Sequence, residues 1–334
     1  MLHQRLIRLL KMRGSDTNGV STAETQGGRH HPAFARFPIF NGEVPGGFQL
    51  EDFLGSISRL EFRGVTPRAE PTFVQSQYPP FGDDYFEWIA ILESVIAARS
   101  SYTMFELGAG FGRWAVTAAM AAKRFNPNMP VQITAVEAEP VHFAWMRTHF
   151  ADNGFNPDQH RLIHAAINDS PGAADFYIEF REYEDPRLWY GQSLAPDHDP
   201  VEEIENDSYL GHKVRRHKTG AKSISIPTIR LAELLDPVDK VDLIDLDIQG
   251  EEGNAIRSSI EVLNRKVKRL HIGTHSPVIE AELRELLSAH RWICKMDFAG
   301  STTHATEFGT IAFGDGTQSW VNPRFQQWFT PWRR

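Results

Sequence analysis

From about residue 83 onward, short apolar runs alternate with helical stripes, and this alternation constrains the fold more than any other feature. Residues 103–107, 131–137, 162–167, 241–248 and 267–272 read as core strands. Helical spacing is expected over 112–125 and 141–153. It recurs in the stripes Ile256, Ile260, Leu263 and Ile279, Leu283, Leu286, Leu287. An earlier stripe, Tyr85, Trp88, Ile89, Leu92, Val95 and Ile96, starts a helix with Asp83 or Asp84 as its N-cap. Residues 175–180 are a further extended, peripheral piece, and 292–298 and 308–313 close the series. Such a β-α succession folds as an α/β domain, a mostly parallel sheet with helices on both faces. Ligands then sit at the carboxyl ends of the strands.

The expected organisation is an N-terminal arm (1–82, partly irregular or flexible), a catalytic domain (83–316) carrying an insertion (181–222), and a C-terminal tail (317–334). Residues 1–14 mix leucines with basic residues and fit a packed terminus or a surface-contacting amphipathic helix; 14–30 read as a linker. The arm entry at 77–85 either closes over a ligand or packs on the sheet. The insertion carries an acidic half (Asp197, Asp199, Glu202, Glu203, Glu205, Asp207) and a basic half (Lys213, Arg215, Arg216, His217, Lys218, Lys222). It reads as a solvated loop or a lid.

Composition excludes several classes. With 41% hydrophobic residues a core is available, and a single cysteine, Cys294, rules out a disulfide scaffold or a Cys-rich zinc module. Cys294 is expected as a small buried thiol. A net charge of −8 argues against general nucleic-acid binding. No apolar run reaches the length of a membrane span, and the cytoplasm is the default compartment. Oligomeric state stays open.

The most informative run is Phe105-Glu106-Leu107-Gly108-Ala109-Gly110-Phe111-Gly112, joining a strand to a helix. Glycines there let the backbone turn tightly and approach a ligand at a helix N-terminus. A nicotinamide fingerprint would place glycine where Arg113 stands. Glu106, just before the glycines, would oppose a pyrophosphate but suits a ligand with an ammonium group, such as S-adenosylmethionine. Glu137, ending the second strand, can accept hydrogen bonds from both ribose hydroxyls. Ala138, then Ala166 and Ile167 on the third run, would pack on adenine, with Asn168 or Asp169 near its amine. Trp114 either packs in the core or touches the methionine side. Candidate acids and bases at strand ends are Asp245, Asp247, His271 and His275. A histidine is neutral enough at pH 7 to accept a hydroxyl proton. His275 is therefore expected as general base, with Asp247 orienting it or the acceptor. His271 is expected to be structural. Asp245, Asp247 and His275 would be the set for a divalent metal, but no spacing demands one, and none is expected.

Taken with these residues, Ile244-Asp245-Leu246-Asp247-Ile248-Gln249-Gly250-Glu251-Glu252 resembles the Lys-Ile-Asp-Val-Glu-Gly-x-Glu signature of the FkbM-type class I S-adenosylmethionine-dependent methyltransferases. Asp247, Gly250 and Glu252 match, while Asp245 stands for the usual Lys and Gln249 for the usual Glu. The segments Phe176-Tyr177-Ile178 and Ser225-Ile226-Pro227-Thr228 are also similar to the family. The resemblance covers about residues 83–314 and implies a Rossmann-like, seven-stranded sheet whose last strand is antiparallel. It also implies O-methylation of a small-molecule hydroxyl, on a sugar or natural product. The cofactor-binding set it supports is Glu106, Gly108, Ala109, Gly110, Trp114, Glu137, Ala138, Ala166, Ile167 and Asp245. The rivals are a Rossmann-type oxidoreductase and a non-catalytic S-adenosylmethionine-binding protein.

Overall fold

The computed structural model describes residues 29–66, 70–179, 192–196 and 198–328. Its central sheet has seven strands: β1 (Tyr102–Leu107), β2 (Val131–Glu137), β3 (Arg161–His164), β4 (Leu243–Leu246), β5 (Arg269–Thr274), β6 (Ile293–Phe298) and β7 (Gly316–Val321). Their order across the sheet is β6-β7-β5-β4-β1-β2-β3. The pairs from β5 to β3 are parallel, and β7 runs antiparallel to both β5 and β6. The chain order reverses between β1 and β4, which opens a crevice at their carboxyl ends.

Among the described residues, six α-helices pack on the sheet: α1 (Tyr85–Ala97), α2 (Arg113–Phe125), α3 (Pro140–Asp152), α4 (Leu231–Leu235), α5 (Glu252–Lys266) and α6 (Pro277–Ala289). On one face Met104, Ile133, Ala135 and Leu243 pack against α1, α2 and α3 through Ile91, Val116 and Phe150. On the other, Phe105, Val136, Ile244 and Ile272 meet Leu231, Ile256, Leu263 and Leu283. Strands buried on both faces read as continuous apolar runs, which is why periodicity located them. Asp84 stands at the α1 N-cap, but its carboxylate goes to Arg113 (2.9 Å) and does not cap the helix.

The arm, expected to be partly irregular or flexible, is built into the domain over its described residues. Phe34, Phe53 and Leu54 join the first core, and Phe34 stacks on Tyr85 with centroids 5.1 Å apart. Phe81 stacks on Phe308, so the arm entry packs. The Asn153 side chain bonds the backbone N–H and C=O of Ile57 (2.9 and 2.8 Å), and Asp152 takes Arg59 bidentately. Residues 1–14, and 14–30 except for 29 and 30, lie outside the described residues.

Three strand expectations need correction. The third run divides at Ala165: β3 enters the central sheet, while Ala166–Ile167 joins a second sheet. The described part of the insertion is ordered as paired strands and not as a solvated loop. Val201–Tyr209 and His212–His217 form a hairpin, and Lys222–Ile229 pairs with Gly172–Glu179 and with Ala166–Ile167. Leu210 and Gly211 turn the hairpin with φ of 47° and 88°, as a two-residue primed turn requires. Its charges face each other across strands, as Glu203 and Arg216 do, so composition suggested a loop where period-2 pairing makes a strand. Asp199 is buried and accepts from Tyr177, Thr219 Oγ1 (2.7 Å) and the Thr219 N–H (3.1 Å). Residues 180–191 and 197 lie outside the described residues.

The third correction concerns the end of the sheet. Residues 308–313 do not close it: Gly309–Phe313 pairs with Thr302–Thr306 in a separate hairpin. The closing strand is β7, placed partly in the expected tail. Its sequence, Gly-Thr-Gln-Ser-Trp-Val, is half polar yet wholly buried, because each polar group finds a partner. Gln318 donates to the Glu280 carbonyl (3.1 Å), Trp320 Nε1 donates to Gln318 (3.0 Å), and Ser319 bonds His271 (2.7 Å). Cys294, expected buried, is exposed, because β6 is the edge strand. Among the described residues, no helix is long and apolar enough to cross a membrane.

Candidate functional site

The glycine turn lies at the reversal point of the sheet. Gly108, Gly110 and Gly112 have φ of 84°, 54° and 77°, a region in which side-chain-bearing residues are strained. The N–H groups of Gly108 and Ala109 both donate to the Val136 carbonyl (3.0 Å each). A Cβ on Gly108 would lie 1.8 Å from the Asp247 carbonyl oxygen. The turn is thus wedged between the ends of β2 and β4, and Asp247 N–H donates to Leu107 (2.9 Å).

Register then assembles a buried polar row. Glu106 on β1, Asp245 on β4, His271 on β5 and Ser319 on β7 are direct partners across neighbouring strands, each buried. Glu87 reaches the row from α1. Burial and the Asp245 charge push the Glu87 pKa well above the usual carboxylate range, so Glu87 keeps its proton. Burial pushes Asp245 up to about 7, against the lowering effect of its hydrogen bond to Glu87. Glu106 is raised by burial and then by Asp245, although its oxygens accept from the N–H groups of Ala115 (2.9 Å) and Trp114 (3.2 Å) and so cap α2. Burial lowers His271 to about 4, and its partners are Ser319 and Thr317, in keeping with a structural histidine.

At the end of β2, Glu137 accepts from the N–H groups of Gly110 and Glu139, both at 2.7 Å. Burial nonetheless pushes it up to about 8. Ala138 and Ala166 come together in one apolar cluster with Phe176, Ile224 and Ile226 of the second sheet. Ile167 packs instead into the core of the other sheet face, with Phe105 and Leu107. Trp114 sits against Trp88 (5.4 Å) and under the Arg113 guanidinium (4.3 Å), a packed position. Asp169 is exposed, and Asn168 N–H bonds the Ile229 carbonyl (3.1 Å).

The expected catalytic pair is brought together. His275 Nε2 lies 3.2 Å from Asp247 Oδ1, and Nδ1 lies 2.9 Å from Glu252 Oε1. The expectation of a neutral imidazole at pH 7 is corrected. Burial alone would lower the His275 pKa, but the two carboxylates outweigh it and hold it well above its ordinary value. Asp247 itself is half exposed.

Two contributors escaped the sequence reading. Glu87 is a carboxylate among the buried aromatics of α1, a pattern that marks it in hindsight. Glu252 is fully buried and accepts from the N–H groups of Ile248 and Gly250 (3.1 Å each), holding the loop after β4. Its signal was the Gly250-x-Glu252 spacing, which matched the signature without suggesting this use.

Comparison with known proteins follows the same outline. The family model described as "Methyltransferase FkbM domain" matches residues 106–298. A protein of Jannaschia sp. (strain CCS1) named "Putative methyltransferase" is 26% identical over 240 residues, 72% of this chain and 79% of that protein. The FkbM methyltransferase of Methylobacillus flagellatus KT is 11% identical, with a TM-score of 0.38, over 66% of this chain and 44% of that chain. An O-methyltransferase of Bacillus cereus in complex with SAH is 10% identical, with a TM-score of 0.35, over 70% and 79%. Structural similarity at that level is too low to carry function across.

Proposed function

The chain belongs to the FkbM methyltransferase family, and on that footing we propose that it methylates a hydroxyl of a small molecule with S-adenosylmethionine as donor. The observation that carries the reading is the set of carboxyl groups, buried Glu106, Glu137 and Asp245 with partly buried Glu87, gathered around a glycine turn at the switch point. Carboxyl groups raised by burial and by one another are relieved by a positive ligand and aggravated by a phosphate. S-adenosylmethionine, with an ammonium and a sulfonium, fits that pocket; a dinucleotide does not. When bound, it supplies a methyl group to the acceptor oxygen and leaves as a neutral thioether.

Under this reading Glu137 holds the ribose hydroxyls, Gly108, Ala109 and Gly110 let the backbone approach, and Ala138 and Ala166 take the adenine. Asp245 and Glu87 face the ammonium end. Asp247 and His275 hold the acceptor hydroxyl. Its proton passes to the Asp247 carboxylate, whose resulting neutral form is tolerated because His275 then pairs with Glu252 alone. A sugar or natural-product hydroxyl suits this polar, open mouth.

Calorimetry with S-adenosylhomocysteine, NADH and buffer alone tests the donor. S-adenosylhomocysteine should bind and NADH should not, and the reverse would return the oxidoreductase reading. Glu137→Ala should weaken S-adenosylhomocysteine roughly 10–100-fold, the worth of hydrogen bonds to a charged group. Equal affinities would remove Glu137 from the ribose site. Incubation of the enzyme with radiolabelled donor and a panel of hydroxylated sugars, natural products and RNA then identifies the acceptor class. Labelling of RNA alone would overturn the small-molecule assignment.

The same carboxylate sets a pH dependence. Glu137 must be ionised to accept two hydroxyl hydrogen bonds, yet in the ligand-free protein it keeps its proton up to about pH 8. The groups facing it are Glu139, Glu106 and the backbone N–H groups of Gly110 and Glu139. Affinity for S-adenosylhomocysteine should therefore rise from pH 6 to pH 8, by up to about tenfold per pH unit, and flatten above. For the ligand-free fold the sign is opposite. The raised pKa stabilises fully below the unfolded value near 4.5, and this is lost as pH rises through about 8. Affinity that is flat in wild type, or that keeps its slope in Glu137→Gln, contradicts the assignment.

A further inference from the structure

The geometry points to a divalent-cation site made by His275 Nε2 and the Asp247 carboxylate, with Glu252 orienting the imidazole from behind. Asp247, Glu252 and His275 each offer a ligand atom, and these atoms lie within 4.8 Å of one another. Glu252 is committed to the protein side. Its Oε1 accepts from Ile248 N–H, Gly250 N–H and His275 Nδ1, and the residue is fully buried. This fixes the ring so that Nε2 faces the Asp247 carboxylate. A histidine whose other nitrogen donates to a carboxylate is the usual arrangement behind a metal ligand, because the carboxylate sets the tautomer and raises the basicity.

Nε2 supplies the second observation. It is sealed from solvent and has no hydrogen-bond partner, although Asp247 Oδ1 is 3.2 Å away. The oxygen is close enough but lies off the ring N–H direction, so the two groups are juxtaposed without satisfying each other. A divalent cation that displaces the Nε2 proton is held by the freed ring nitrogen and the carboxylate at once. Gln249 Nε2 donates to Asp247 Oδ1 (3.0 Å) and steadies the carboxylate. Asp247 is 54% exposed, so the cation would keep open positions toward the crevice.

One imidazole, one carboxylate and several open positions suit an ion of the Mn2+ or Mg2+ kind, which retains water and takes substrate oxygens. A polyhydroxyl acceptor would present such oxygens. In that respect the inference rests on the methyl-transfer reading, but binding of the ion is read without donor or acceptor. A second group of possible ligands, Glu87, Asp245 and His271, lies deeper. There both ring nitrogens of His271 are partnered, by Ser319 and Thr317, so the outer set is the one open to an ion.

Titration of the full chain with Mn2+, followed by loss of the free-ion electron paramagnetic resonance signal, tests the site. About one ion per chain is expected, weakened about tenfold or more by Asp247→Asn and by His275→Ala. Asp247 is half exposed, so Asp247→Asn should fold, and S-adenosylhomocysteine binding in the same sample confirms that it has. Glu252→Gln should weaken Mn2+ less than Asp247→Asn does. No Mn2+ binding at millimolar concentration, or binding that survives Asp247→Asn but is lost in Asp245→Asn, overturns the site. Loss of S-adenosylhomocysteine binding in wild type would instead count against the methyltransferase reading, so the two failures are distinguishable.

Discussion

His275→Ala should leave S-adenosylhomocysteine affinity within about twofold of wild type while lowering methyl turnover roughly 10²–10⁴-fold, the range for disrupting positioned proton transfer, because His275 places the acceptor hydroxyl against the Asp247 base. The separation follows from position. His275 follows β5 and meets Asp247 and Glu252, and it contacts none of the residues assigned to the donor in the hydrogen bonds and ion pairs it makes. Removing the imidazole leaves Glu252 without its Nδ1 partner but still accepting from Ile248 and Gly250, so the loop after β4 should hold. Single-turnover kinetics at saturating donor isolates the chemical step. Full activity would reduce His275 to a loop contact. A parallel loss of donor affinity would show that it supports the fold of the pocket and takes no part in turnover.

The parts of the domain that the sequence discloses share one physical property. β1, β2, β4 and β5 are buried on both faces, so each must be an apolar run, and helix stripes must separate them. The glycine turn is equally legible, since three left-handed backbone positions in five residues leave few alternatives to glycine. β7 hides because its polar side chains are satisfied by tertiary partners such as Glu280 and His271, which no local pattern announces. The hairpin after residue 200 hides for a related reason. Its charges pair across strands, and a composition reading sees only that they are charged.

At the site the same distinction holds. Glu137 and Asp247 follow from strand ends, and the structure sets Glu137 against the glycine turn and Asp247 beside His275. The protonation of His275 does not follow from its local sequence. It depends on Glu252, 23 positions earlier, reaching the ring from a different strand-helix unit. Burial likewise sets Glu87 against Asp245, and only the packing of α1 on β4 reveals that contest.

Gly108→Ala should be the most damaging conservative change in the turn. At φ of 84° an alanine is strained, which costs about 1–2 kcal/mol. Its Cβ would also stand 1.8 Å from the Asp247 carbonyl oxygen and 2.8 Å from the carbonyl carbon. Both are backbone atoms and cannot rotate away. Relief requires the end of β4 to move, which disturbs the Asp247 N–H bond to Leu107 and carries Asp247 away from His275. A total of roughly 3 kcal/mol or more is expected, the scale of a named backbone clash added to strain. In a chain of 334 residues that corresponds to a fall in Tm of about 4 °C or more, and S-adenosylhomocysteine affinity should fall with it. Gly250→Ala is the control. Its φ is 115°, equally unsuited to a side chain, but a Cβ there meets nothing within 4 Å. Only the strain remains, about 1–2 kcal/mol. The difference between the two variants therefore reads the clash alone. If Gly108→Ala melts within about 1 °C of Gly250→Ala, the turn is not wedged against β4, and the placement of Asp247 beside the glycine turn is wrong.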